Sequence, residues 1–130
     1  MVKRSLGFVL IILCSTGVFA QRFNFVVFNK LPQDLQLYPR DEKNESKISI
    51  SGIFEQNGFD YLSVKVFRNG KIDSYTKSSI TYSSVNKGFF STEVRIKSEL
   101  AEYDLEFYSI KGKDSSLIVK RKNIVSGDVY

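Results

Sequence analysis

Apolar and polar positions along this chain alternate in short runs of period two, and no segment sustains the 3.6-residue period of a helix. Residues 23–28 predict a first strand. Residues 29–40 read as irregular, because Pro32 and Pro39 block central-strand pairing. Residues 41–47 read as a charged, exposed loop. Ile48, Ile50 and Ile53 form the apolar side of a second strand, and Asn57-Gly58 marks the turn after it. The clearest strand covers residues 61–68, with Leu62, Val64 and Val66 on one face and Ser63 and Lys65 on the other. Asn69-Gly70 follows at once, and an Asn-Gly between two strand-like runs is a strong hairpin signature because both central residues of a type I′ turn need positive φ. Residues 71–77 form its second arm, and the Ser-rich stretch 78–86 holds a strand end around Ile80 and Tyr82. Residues 89–96 give another strand, with Val94 and Ile96 alternating against Glu93 and Arg95. Tyr103, Leu105 and Phe107 then point one way, and Asp104, Glu106 and Tyr108 the other. A turn at residues 112–115 leads to the last strand, 116–125.

That is about seven short strands in about a hundred residues, the size and spacing of an all-β immunoglobulin- or fibronectin-III-like antiparallel β-sandwich. The Ala101-x-Tyr103-x-Leu105 spacing resembles the tyrosine corner of such sandwiches, in which a Tyr hydroxyl returns to nearby backbone at the start of the penultimate strand. An ordinary amphipathic strand start explains the same residues equally well.

The N-terminus changes the picture of where the domain begins. Lys3 and Arg4 form a positive segment, and the apolar run from Leu6 to Leu13 is too short to cross a bilayer core of roughly 30 Å. Val18-Phe19-Ala20 completes a signal peptide, a helix ahead of the sandwich, with cleavage between Ala20 and Gln21. A membrane anchor or a lipid-modified Cys14 is the competing reading, weakened by the shortness of the run and by bulky Leu13 before the cysteine. The expected location is secreted or periplasmic, with no membrane span after cleavage. Cleavage of 20 residues leaves 110 of the 130, enough for one compact domain. Losing Lys3 and Arg4 takes the basic residues from 19 to 17 against 14 acidic ones, a net charge of +3, which carries no nucleic-acid footprint. Cys14, the only cysteine, leaves with the signal, so the mature chain forms no disulfide.

Candidate chemistry is sparse. The chain has no His and no Trp, which removes the usual general base near neutral pH and the commonest transition-metal ligand. Serines are plentiful, but no base and oxyanion partners accompany them. The expectation is no catalytic, cofactor-binding or metal-binding residue, and no cofactor. Glu99, Glu102, Asp104 and Glu106 cluster in sequence and read as a solvated sheet face. Asp41, Glu42 and Glu45 match no calcium-loop spacing. Lys120-Arg121-Lys122 splits between two faces of a strand and reads as protection of a sheet edge. Tyr75, Tyr82 and Tyr108 fall on outer positions and are the candidate glycan-contact rings, against plain cross-strand aromatic pairing. Asn44-Glu45-Ser46 is an N-glycosylation sequon.

One set of stretches goes further. The chain ends in Ile124-Val125-Ser126-Gly127-Asp128-Val129-Tyr130, and carries Leu31-Pro32-Gln33-Asp34-Leu35-Gln36-Leu37-Tyr38-Pro39-Arg40, Val66-Phe67-Arg68-Asn69-Gly70, Leu100-Ala101-Glu102-Tyr103 and Ser116-Leu117-Ile118-Val119 in that order. In sequence it resembles the leading immunoglobulin-like domain of secreted carbohydrate O-acetylesterases of the SGNH-hydrolase type, the sialate O-acetylesterase-like group. The resemblance implies a signal peptide over 1–20, a sandwich over 21–125, and the start of a bridge to a hydrolase domain over 126–130. In that family a Gly-Gln-Ser-Asn block that carries the nucleophilic serine follows the bridge within a few residues, and residues 1–130 lack it. The implied role is a non-catalytic accessory domain whose partner is the following hydrolase domain, with Asp128 in the bridge and not a catalytic Asp. The alternative is a standalone secreted module that binds a polysaccharide or a surface partner.

Overall fold

The computed structural model describes residues 20–97 and 101–127. Residues 1–19 of the expected signal peptide, Glu99 and Leu100, and the bridge residues Asp128, Val129 and Tyr130 lie outside them. The described residues form ten strands and no helix: β1 (Gln21–Phe23), β2 (Val26–Lys30), β3 (Leu37–Tyr38), β4 (Glu45–Phe54), β5 (Tyr61–Arg68), β6 (Lys71–Ser79), β7 (Thr81–Ser84), β8 (Lys87–Lys97), β9 (Tyr103–Lys111) and β10 (Asp114–Ser126). They pair into two five-stranded sheets, in the orders β1-β2-β4-β8-β7 and β3-β10-β9-β5-β6.

The two sheets form a β-sandwich, closed by the side chains that alternation turns inward. Ile48, Ile50 and Phe54 of β4, Leu62, Val64 and Val66 of β5, Phe90, Val94 and Ile96 of β8, and Tyr103, Leu105 and Phe107 of β9 are all buried. Phe28 is the hub of the aromatic part of this core, edge-on to Phe90 at 5.5 Å and to Phe107 at 5.7 Å. Gly52 makes room for it. It pairs with Phe28 on one side and Phe90 on the other, and a Cβ there would collide with the Val27 carbonyl oxygen. The Asn69-Gly70 turn joins β5 to β6 with φ of 50° and 83°, the paired positive values its sequence predicts.

The structure departs from the sequence pattern in five places. The first strand is two: Asn24, at φ 57°, turns the chain between β1 and β2, which pair antiparallel. The irregular stretch 29–40 contains β3, and β3 runs parallel to β10 through Leu37↔Val125 and Tyr38↔Ser126. The second sheet is therefore mixed, not antiparallel throughout. The charged loop ends sooner than its composition suggests, because β4 begins at Glu45 and pairs with Lys97. Ile53 does not share the buried face of Ile48 and Ile50; Gly52 and Phe54 do, as strict alternation demands. Finally, the strands number ten and not about seven, the excess being the short pieces β1, β3 and β7.

Candidate functional site

Two surface features rise above the plain sandwich. The first is the outer face of the sheet that contains β5, β6, β9 and β10. Register places Tyr75 opposite Lys65, Lys65 opposite Glu106, and Glu106 opposite Lys120. One row of this face thus reads Tyr75, Lys65, Glu106, Lys120. The neighbouring row reads Lys77, Ser63, Tyr108, Leu117. Lys65 Nζ lies 4.6 Å from the centre of the Tyr108 ring, and Lys77 Nζ 4.8 Å from that of Tyr61. These cations cover their aromatic neighbours and leave Ser63 only 8% exposed although it points outward. Around them Ile72, Tyr75 and Leu117 stay 51%, 59% and 48% exposed. Glu106 accepts the Tyr108 hydroxyl proton in a hydrogen bond and pairs with Lys120 at 3.6 Å. That bond, then burial, pushes the Tyr108 phenol up to about 12.

The three candidate glycan-contact rings do not form one site. Tyr75 and Tyr108 share this face, but Tyr82 belongs to β7 in the other sheet. Its hydroxyl accepts from the Phe59 amide at 3.1 Å and donates to the Gln56 carbonyl at 3.0 Å. Its ring lies so close to Gly88 that a Cβ there would stand 2.7 Å from it. Tyr82 pins the 56–59 turn to the β7–β8 hairpin.

The charged clusters resolve into local structure. Asp104 accepts from the Asn123 amide at 3.0 Å, across a register shift where Asn123 adopts φ 58°. Asp41 accepts from the amides of Lys43 at 2.8 Å and Glu45 at 3.1 Å, and those bonds hold its carboxyl below the ordinary value. Lys120, Arg121 and Lys122 do divide. Lys120 faces Glu106, whereas Arg121 reaches the Pro32 carbonyl at 2.7 Å and the Gln21 side chain at 2.6 Å. In the sequon, Asn44 is exposed but Ser46 is fully buried, its hydroxyl shared among the carbonyls of Tyr38 and Pro39 and the Ser126 hydroxyl.

The second feature is a cavity of about 380 Å³ between the β1–β2 hairpin of one sheet and the β9–β10 hairpin of the other. Phe23, Phe25, Phe59 and Ile118 form its apolar walls, with Phe25 and Phe59 stacked at 4.6 Å. Ser109, on the core-facing side of β9 and 2% exposed, lines it within. Lys111, Asp114, Ser116 and Asn24 contribute its polar groups. Sequence reasoning missed this site. Its residues come from two hairpins about ninety positions apart and from Phe59 in the β4–β5 connection, and only Ser109, a polar residue in the inward series Tyr103, Leu105, Phe107, breaks a pattern visible in the sequence.

No protein-family model matches the chain, and no curated protein and no solved structure does either.

Proposed function

We propose that the chain is a non-catalytic, immunoglobulin-like sandwich domain that serves a secreted carbohydrate O-acetylesterase of the SGNH type as its accessory unit. The immunoglobulin-like assignment rests on the orders β2-β4-β8-β7 and β3-β10-β9-β5-β6 and on a tyrosine corner, Tyr103 Oη donating to the Lys97 carbonyl at 3.0 Å. The observation that carries the accessory role is a meeting of the two most distinctive stretches of the resemblance. Residues 31–40 supply β3, and β3 clamps the tail. The Val125 amide donates to the Gln36 carbonyl at 3.0 Å, the Gly127 amide to the Tyr38 carbonyl at 3.1 Å, and buried Ser126 meets Ser46 at 2.5 Å. The chain therefore leaves the sandwich toward Asp128 from a fixed point, and a fixed exit is the requirement for holding a downstream domain in place. Export places the mature N-terminus at Gln21.

The test has two arms. Purified chain should turn over no aryl acetate above a heat-killed control, and the coding sequence past the Tyr130 codon should continue into Gly-Gln-Ser-Asn. Turnover would overturn the non-catalytic reading; an immediate stop and then unrelated sequence would overturn the accessory role.

The exposed Ile72, Tyr75 and Leu117 around the Lys65–Tyr108 pair favour a second reading, a standalone module that binds a polysaccharide or surface partner through this face. It requires saturable binding that Tyr75→Ala or Tyr108→Ala weakens. A flat titration across a glycan panel counts against it.

A further inference from the structure

The buried hydroxyl of Ser109 has no partner among the described residues. Of the other buried serines, Ser46 bonds to Ser126 and Ser78 to the carbonyls of Ser79 and Ser91, whereas Ser63 sits on the outer sheet face between Lys77 and Tyr108, away from the cavity walls. Native interiors rarely leave a buried hydroxyl unpaired, because the desolvation cost is then unrecovered. Where one is found, a ligand or an ordered water completes it, and Ser109 opens onto a cavity large enough for either.

The chemistry of the walls selects among ligands. Phe23, Phe25, Phe59 and Ile118 offer C–H and ring surface, which suits an apolar face. Ser109, Ser116 and Asn24 offer uncharged hydrogen-bonding groups. Lys111 and Asp114 bring one charge of each sign to the rim, and Lys111 Nζ lies 5.4 Å from the centre of the Phe59 ring, so the lining has no net charge to favour an anion or a cation. A volume of about 380 Å³ sits at the small end of ligand sites, which run from roughly 300 to 1,000 Å³. The occupant is thus small, neutral, apolar on one face and rich in hydroxyls at its rim.

We propose that this cavity binds a single uncharged sugar ring, its C–H face against the phenylalanines and one hydroxyl bonded to Ser109 Oγ. This goes beyond the accessory role and does not depend on it, and the site is distinct from the outer sheet face. Its walls come from the two hairpins and from Phe59 in the β4–β5 connection, and it shares Leu117 with the rim of that face, whereas Tyr75 and Lys65 lie on β6 and β5.

The experiment is a titration of the full chain with glucose, galactose, mannose and N-acetylglucosamine, tracked residue by residue through amide chemical shifts. Saturable shifts confined to Phe25, Phe59, Ser109 and Ile118 are expected with at least one sugar. Ser109→Ala should weaken that sugar about tenfold, the loss of one good hydrogen bond. The variant should remain folded, since it removes an unpaired polar group from an apolar setting. Tyr75→Ala should leave affinity unchanged. No saturable shift with any of the four overturns the proposal. So do shifts that map to Tyr75 and Tyr108, or affinity indifferent to Ser109→Ala, which would leave water as the partner of the hydroxyl.

Discussion

Tyr103→Phe is the sharpest test of how the sandwich is held together. Tyr103 is fully buried, and register places it between Arg68 of β5 and Ile124 of β10. Its hydroxyl reaches back to the carbonyl of Lys97, the last residue of β8, at 3.0 Å. The bond thus spans the connection by which the chain leaves one sheet and enters the other. Phenylalanine fills the same space, so the substitution opens no cavity worth counting and removes the hydroxyl together with its bond to the Lys97 carbonyl. Losing a bond to a group shielded from water costs about 1–3 kcal/mol, and the part-buried setting puts the value toward the lower end. In a domain of this size each kcal/mol lowers Tm by about 4–8 °C. Denaturant titration of both proteins should give a lower midpoint with unchanged slope, since the surface exposed on unfolding is the same. A loss below about 0.5 kcal/mol would refute the reasoning and reduce Tyr103 to an apolar ring that tolerates its hydroxyl.

Gly52→Ala should be more damaging, by about 1–3 kcal/mol or beyond, because its Cβ meets the Val27 carbonyl oxygen and the Phe28 Cα, backbone atoms that cannot yield without breaking the β2–β4 ladder. An unchanged Tm would sink that argument. Ser46→Ala should cost about 1–3 kcal/mol, since it removes a buried hydroxyl that bonds the Tyr38 and Pro39 carbonyls and the Ser126 hydroxyl at the β3–β10 clamp; equal stability would show that water replaces the hydroxyl. Alkali should weaken the fold between about pH 10 and 12. Burial pushes the Tyr38 phenol up to about 12, and the Glu106 bond does the same to Tyr108, so both keep their protons in the folded state while an unfolded tyrosine near pH 10 has lost its own. Phenolate absorbance should show the Tyr38 and Tyr108 phenols titrating late, and Tyr38→Phe should flatten part of the stability loss. At the acid end the sign reverses for Asp41. Its depressed pKa contributes stability above the ordinary carboxylate range that is lost as pH falls through the folded value, so Asp41→Asn should remove part of the acid sensitivity of unfolding.

Local grammar carried most of the strand map. Alternation placed β5 over the same eight residues that form it, and Asn69-Gly70 set its hairpin, because both are properties of adjacent residues. Where the pairing partner decides the structure, alternation was silent. Leu37 and Tyr38 form a strand because Val125 and Ser126 lie beside them, and no feature within residues 29–40 announces that. Asn24 reads as one polar position in an apolar run until its positive φ turns the chain. The candidate rings show the same limit. Tyr75 and Tyr108 meet around Lys65 as outward positions should, whereas Tyr82 is drawn inward by the 56–59 turn, which only the folded chain brings to it.

The parallel clamp between β3 and β10 has a consequence for the order of events in synthesis. The sheet β1-β2-β4-β8-β7 contains nothing beyond Lys97, so it can pair while the remainder of the chain is still being made. The other sheet waits for its final residues. Ser46 meets Ser126 across 80 positions and Gln21 meets Arg121 across 100, contacts that no nascent fragment can form. Long-range pairing of this kind folds slowly, on the millisecond-to-second scale, and leaves unpaired strand edges open to association in the interval. Under the proposed export, a signal peptide ahead of this sandwich would move that interval out of the cytoplasm and deliver a chain that closes only once all of its strands have crossed.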